Sequence, residues 1–410
     1  MKKFHSIKKL SEIDIRFLFL VGLMVFLPGF EVLKNLFALL FVLSWVVVAK
    51  KNNYWGGKWR VIDSIFLLWI LGDIAVSINA IISHQFSGAN FRDIIRFVLI
   101  AWVLSRADFS KERLTQSALL TLVALIFTLG YGYFAGQGEL KELYSVGHIN
   151  HTGIFIVIAY TISLSLLLFN FNALEKYQKI ILVLTTIILL LTSIDTSSRA
   201  VFGLLVMITL FDFLYLVIKV KKFSLMVFVL GLISCIGVFL AYDPPIALQE
   251  IQGQKSILDD GHREEIRNFS YYAYKANPYL GVGFGNFSKI SIDDLKPYII
   301  ADKGVFNSKL YSSASHTHNV FFNYLVSGGL LIFSIFVWFW FYIIWIIIKL
   351  MTRGENDLII VSAIGVVMVN LGIGMVNTTL HHEHAILSMY VLGFLIAEYR
   401  KSQLFEDLIK

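Results

Sequence analysis

Apolar residues run along this chain in long blocks, separated by short polar breaks. A helix needs roughly 20 mostly apolar residues to cross a bilayer. The blocks predict twelve such helices, at roughly 15–29, 32–49, 61–82, 91–105, 114–134, 152–170, 180–195, 199–218, 224–241, 317–348, 358–378 and 384–398. The tenth is longer than one crossing and is expected to tilt or to extend past the bilayer. Most connections are short, but residues 242–316 form a loop of about 75 residues. Loops of that length are usually functional. The chain therefore divides into helices 1–9 (residues 1–241), the loop (242–316), and helices 10–12 with a tail (317–410). Inside the loop, Gly261–Ala276 reads as a helix that stops at Asn277–Pro278, because the residue before a proline disfavours helix. Gly281-Val-Gly-Phe-Gly285 then reads as a tight connection returning the chain to the membrane. A dinucleotide fingerprint would need a strand before it and a helix after it.

Composition sharpens this picture. The chain is 57% hydrophobic and 15% charged, with 35 Phe, and its mean hydropathy is +0.73. A single soluble core cannot hide that much apolar surface, so a water-soluble enzyme is excluded. Five prolines and unbroken apolar runs exclude disorder, collagen and coiled coil. The single cysteine, Cys235, excludes an intramolecular disulfide and cysteine-rich metal sites. The net charge of +7 comes from basic residues in short clusters between apolar blocks. That is a membrane-topology pattern and not a nucleic-acid groove.

Lys2, Lys3, Lys8 and Lys9 precede the first block, and the even-numbered connections carry further clusters, such as Lys50, Lys51, Lys58 and Arg60, or Lys219, Lys221 and Lys222. Positive residues stay on the cytoplasmic side. Both termini are therefore expected in the cytoplasm, and the loop 242–316 on the outer face. The first block is followed by another span with no small-residue cleavage site, which reads as an uncleaved helix.

Chemistry-bearing residues concentrate on that outer face. Arg199 opens the eighth span, where an arginine either snorkels to the surface or faces a polar cavity and holds an anion. Arg263 and Arg267 lie four apart on one face of the loop helix. Arg267 reads better as a solvated charge paired with Glu264 or Glu265. Arg92 and Arg96, also four apart, open the fourth span from outside and are either snorkelling residues or part of the same cationic field. Nine of the ten histidines, all but His5, fall on the outer side. Histidine is the side chain suited to general-base work near neutral pH. His316 and His318, in Ser315-His-Thr-His-Asn319, point the same way if that stretch is extended. His381 and His384 have a spacing able to ligate zinc, but no HExxH motif accompanies them, and no metal is expected. Of the acids within spans, Asp63 and Glu398 lie near helix ends and are expected to be wet, whereas Asp73 is nearest mid-membrane.

The segment Ser315-His-Thr-His-Asn-Val-Phe-Phe-Asn-Tyr-Leu-Val-Ser-Gly-Gly-Leu330 resembles the O-antigen ligase/polymerase superfamily. Its members carry a His-x-His-Asn or Ser-His-Asn box leading into a helix with a Gly-x-x-Gly or Gly-Gly-Leu end. Val146-Gly-His-Ile-Asn-His-Thr-Gly153, Ser197-Ser-Arg-Ala200, the Arg263/Arg267 helix and Asn277–Asn286 agree with that pattern in order. Ser327 stands where the family usually has an acid.

The resemblance implies an all-α polytopic membrane protein of GT-C-like glycosyltransferase type, in the bacterial inner membrane with its active site facing the periplasm. It implies transfer of a glycan, an O-antigen, from undecaprenyl diphosphate to the lipid A–core oligosaccharide, with no cofactor. His318 would be the base with His316 beside it. Arg199 and Arg263 would hold the diphosphate, with Arg267, Arg92 and Arg96 in the same field. His148, His151 and Asn319 are further candidates. A polymerase that extends the glycan on its carrier is the alternative within the family. A polysaccharide transporter or flippase is the alternative outside it, but it predicts an internal repeat, and none is evident.

Overall fold

A computed structural model describes residues 14–84, 91–136, 142–196, 198–219 and 261–409. The protein is an all-α polytopic membrane protein, with thirteen α-helices and no sheet among the described residues. Eight of these helices are long and apolar enough to cross a membrane. The helices are α1 (Ile15–Phe26), α2 (Glu31–Lys51), α3 (Val61–His84), α4 (Phe91–Arg106), α5 (Lys111–Ala135), α6 (Ile149–Phe169), α7 (Lys176–Asp195), α8 (Arg199–Lys219), α9 (Gly261–Ala276), α10 (Ile292–Lys303), α11 (Val320–Arg353), α12 (Asp357–Gly372) and α13 (His382–Ile409).

The expected twelve spans are thus met by eight. The ninth, at 224–241, lies outside the described residues, as does the start of the loop. Three others form helices that fall short of a full apolar crossing. α1 has 12 residues. α4 has 16, with Arg92, Asp93 and Arg96 at one end and Arg106 at the other. α13 is long, but His382, Glu383 and His384 open it and Glu398 and Arg400 interrupt its far half.

α6 occupies the centre and is buried nearly all round, as a helix apolar on every face should be. Two of its hydroxyls bond neighbouring helices: Tyr160 with Thr209 of α8 at 2.8 Å and Ser163 with Thr186 of α7 at 2.7 Å. Such bonds join helices where no water competes. The outer helices turn apolar stripes outward, for example Leu67, Leu71, Ile74, Ile78 and Ile82 of α3. α13 packs along α4, α1 along α2, and α11 along α3.

Asp63 corrects an expectation. It is fully buried and accepts bonds from Arg106 Nε (2.8 Å), Arg400 Nη2 (2.6 Å), Trp102 Nε1 (2.7 Å) and the Arg60 backbone N–H (2.7 Å). Burial is tolerated because every accepting direction has a donor. This cluster pins α3, α4 and α13 together at one end of the bundle.

The long connection also carries structure. α9, α10 and the turns around them share a small core of Ile266, Phe269, Tyr272, Phe287, Leu295 and Ile299, which also takes in Val326 of α11. α9 ends at Asn277–Pro278, as its sequence predicts. The glycine segment does more than turn. Gly281, Gly283 and Gly285 all have positive φ, and Val282 N and Gly283 N donate to the carbonyls of Val326 (3.0 Å) and Ser327 (2.8 Å). There α11 breaks at Gly329 (φ 60°, ψ −166°). Leu330 N and Leu331 N, freed by the break, donate instead to Pro278 O (2.8 Å) and Tyr279 O (3.2 Å). The length of the tenth apolar block is thus resolved as a helix interrupted by a strand-like graft from the loop. Irregular backbone at such depth persists only when its polar groups are satisfied by protein.

Candidate functional site

At the end of the bundle opposite Asp63, three helix starts converge, and each brings histidines. His148 caps α6 through Nδ1, which accepts the Asn150 N–H at 3.2 Å. Thr152 Oγ1 braces the turn before it, accepting the Leu143 N–H (3.0 Å) and donating to Gly147 O (3.1 Å). One turn on, His151 is buried.

The box before α11 contributes His316 and His318. Asn319 caps α11 by accepting the Phe322 N–H at 3.0 Å, and its Nδ2 donates to Met375 O at 2.9 Å. Thr317 Oγ1 donates to Asn319 O at 2.7 Å. This bracing holds His318 in the left-handed region at φ 50°. The rings of His316 and His318 lie 4.1 Å apart between centroids, so the stretch does bring them together.

The turn before α13 contributes His381, and the first turn of α13 contributes His382 and His384. Leu380 (φ 52°) and His382 (φ 48°) are also left-handed. Non-glycine residues there cost about 1–3 kcal/mol each and cluster at functional sites. Three of the five such residues among those described surround this one site.

His151 is the hub. Its ring centroid lies 6.5 Å from His148, 5.9 Å from His316, 5.8 Å from His381, 6.0 Å from His382 and 5.3 Å from His384. A cavity of about 360 Å³ opens beside it, lined by Asp93, His148, His151, Phe284, His316, Asn323, His381 and His382 among others. His318 meets the site through His316 and is not among the lining residues. Burial, with His318, His148 and His382 nearby, pushes the His316 imidazole down to about 4, leaving it uncharged at neutral pH.

Asp93 joins this cavity to a second one. A groove of about 630 Å³ runs between α2 and α4. Glu31, Asn35, Arg92, Asp93 and Arg96 line its polar end, and Ala38, Leu39, Val42, Leu99 and Ile100 line the rest. Arg96 bonds Asn35 and, at 3.1 Å, Asp93, whereas Arg92 is exposed.

The other predicted cations are placed differently. Arg199 begins α8, and its side chain lies outside the described atoms. Val201 and Thr196 pack against Gly153, so that helix start sits close to the histidine end of α6. Arg263 and Arg267 are exposed on α9, with Arg267 3.9 Å from Glu264, and neither lines the two cavities. His262 lies beside Glu265 on the same helix, away from the cluster.

Several site features were not anticipated. His381, His382 and His384 enter the cluster, Asp93 and Arg96 pair at its edge, and a buried Lys34 reaches Glu383 between two of the histidines. Their traces in the sequence were the crowding of histidines on one side, the spacing of His381 and His384, and the place of Arg96 at the outer end of its span.

The box, the first half of its capped helix and the α9 helix fall in one matched segment. Residues 180–337 match the model of the Wzy_C family, O-antigen ligase. Members are O-antigen ligase/polymerase-type transferases of surface polysaccharide synthesis, and the family implies lipid-linked glycan substrates. No curated protein matches the chain. The family segment carries Arg199, Arg263, Arg267, His316, His318 and Asn319 and ends beyond the break at Gly329. His148, His151, Arg92, Arg96 and the α13 histidines lie outside it and are joined to it by tertiary structure.

Proposed function

We propose that the protein is an O-antigen ligase of GT-C type that works at the periplasmic face of the bacterial inner membrane, with both termini in the cytoplasm. In this reading it transfers a glycan from undecaprenyl diphosphate to the lipid A–core oligosaccharide. The observation that carries the reading is the meeting of the family's box, His316 and His318, with a cavity that adjoins an amphiphilic groove. A prenyl-linked donor has the same two-part character. The apolar wall of the groove suits the tail, and Arg92 and Arg96 suit the charged end.

The chemistry follows from the substrate. The bond from the sugar's C1 to the diphosphate oxygen breaks, and the diphosphate leaves with the bonding electrons. Arginines held near that oxygen stabilise the developing charge, a role assigned to Arg199 and Arg263. The acceptor hydroxyl attacks C1 and gives its proton to His318. His316, uncharged, orients that ring or the hydroxyl. The loop 242–316 acts as the outer unit over helices 1–241 and 317–410.

The deciding experiment is the lipopolysaccharide pattern of a deletion strain. Rough core with full-length glycan retained on the carrier supports the ligase. Core bearing a single repeat unit identifies a polymerase instead. Loss of glycan from the outer face altogether identifies a transporter.

A further inference from the structure

We propose that Asp93, His381 and His382 form a binding site for a zinc-type divalent ion beside the histidine cavity. One ligand atom from each of these residues falls within a sphere where all three lie within 4.8 Å of one another. Two imidazoles and a carboxylate are a donor set for zinc, with ligand bonds of about 2.0–2.2 Å and therefore neighbouring ligand atoms about 3.3 Å apart. His382 Nδ1 is already 3.9 Å from Asp93 Oδ2.

The two oxygens of Asp93 have separate partners. Oδ1 accepts from Arg96 Nη2 at 3.1 Å, and Arg96 is itself held by Asn35. Oδ2 faces His382. This is how a ligating carboxylate is oriented in metal sites: one oxygen anchored by an outer hydrogen bond, the other presented to the ion. Glu383, the nearest rival ligand in sequence, has one oxygen engaged by Lys34.

A second, independent observation points to a ligand. Nδ1 atoms of His381, His151 and His384 are buried with no hydrogen-bond partner. Buried polar atoms are nearly always satisfied, and exceptions call for a missing partner. The left-handed backbone at Leu380 and His382 brackets His381. Three protein ligands leave a fourth position, and the cavity lined by all three residues gives it an opening. Structural zinc sites are closed by four protein ligands, and an open fourth position is the mark of a site that meets substrate. The ion ties the start of α4 to the turn before α13 and sets a positive charge between the cavity and the groove.

The test uses the full chain in detergent, with any affinity tag removed and the protein dialysed against chelator. Cobalt(II) is titrated while the visible d–d absorption is followed, and zinc is then added in competition. One equivalent with an intense tetrahedral-type band, displaced by zinc, is expected. His381→Gln and Asp93→Asn should each weaken binding at least about 10–100-fold, the loss typical even of outer partners, and His262→Gln should leave it unchanged. Folding of the variants is checked by monodispersity. If both ligand variants fail to fold, the wild-type spectrum decides: a weak octahedral-type band, or no binding above buffer, overturns the site. Binding that survives intact in folded His381→Gln and Asp93→Asn overturns it as well. No glycan is present, so failure here leaves the transferase reading untouched, and the reverse also holds.

Discussion

Lys34 of α2 and Glu383 of α13, 349 positions apart, form an ion pair in the protein interior with their side chains 0% and 3% exposed. Lys34 also bonds Glu31 and, at 2.7 Å, Ser145 Oγ. Glu383 sits between His382 and His384, so the pair fixes the start of α13 against α2 and the turn before α6. Removing one partner strands a buried charge, at a cost of about 3–5 kcal/mol. Lys34→Met is expected to lower the thermal midpoint in detergent sharply. The double variant Lys34→Met/Glu383→Leu should recover most of that loss, because an apolar pair of similar volume is often neutral. A double variant no more stable than the single one would show that the pair does not act as a unit.

The break in α11 predicts a second sensitivity. Gly329 has φ 60° and lies directly against the backbone of Tyr279 and Leu280. An alanine there meets both backbone strain and a steric clash. Gly329→Ala is expected to destabilise by at least about 1–3 kcal/mol, whereas Gly130→Ala on α5, where nothing lies within 4 Å, should be mild. Thermal melting of the two variants side by side checks this.

His316 gives a pH dependence with a definite sign. Its folded-state value of about 4 lies below the ordinary histidine value of about 6.5. Between these, the unfolded chain binds the extra proton and the folded chain does not, so stability rises with pH across that window. The contribution is complete above about 6.5 and declines as the pH falls towards 4. Melting curves of wild type and His316→Gln from pH 7 to 4.5 should show the shallower decline in the variant. Equal slopes would remove His316 from the account.

If His318 is the base, His318→Gln should cut transfer by about 10²–10⁴-fold while donor binding survives. Loss of a hydrogen bond that only positions the acceptor, worth about 1–1.5 kcal/mol, would cost only about tenfold. A purified transfer assay with donor binding measured separately distinguishes the two.

A diphosphate clamp at Arg199 and Arg263 predicts that lysine will not substitute well. Lysine keeps the charge but loses the two-pronged geometry that fits phosphate oxygens. Arg199→Lys and Arg263→Lys should both transfer poorly in folded protein. Arg267→Lys, exposed beside Glu264, should stay near wild type. Near-normal transfer by the first two would reduce them to general charge.

Much of the architecture follows from one-dimensional pattern. Spans are set by the length of apolar blocks against the thickness of a bilayer, and eleven of the twelve predicted blocks fall on described helices. Asn277–Pro278 stops α9 because proline restricts its own neighbour, a local effect. The box was legible because Asn319 and the histidines before it are contiguous. Burial of individual polar groups was not legible. Asp63 looked wet from its place at a helix end, yet Arg106 and Arg400 reach it from two other helices. The break at Gly329 depended on a loop segment some fifty residues upstream offering Pro278 and Tyr279 carbonyls. The histidine cluster, the Lys34–Glu383 pair and the α2–α4 groove arise where helix starts far apart in sequence meet in space. Residue spacing along one helix carries no information about which other helix it faces, and only packing decides that.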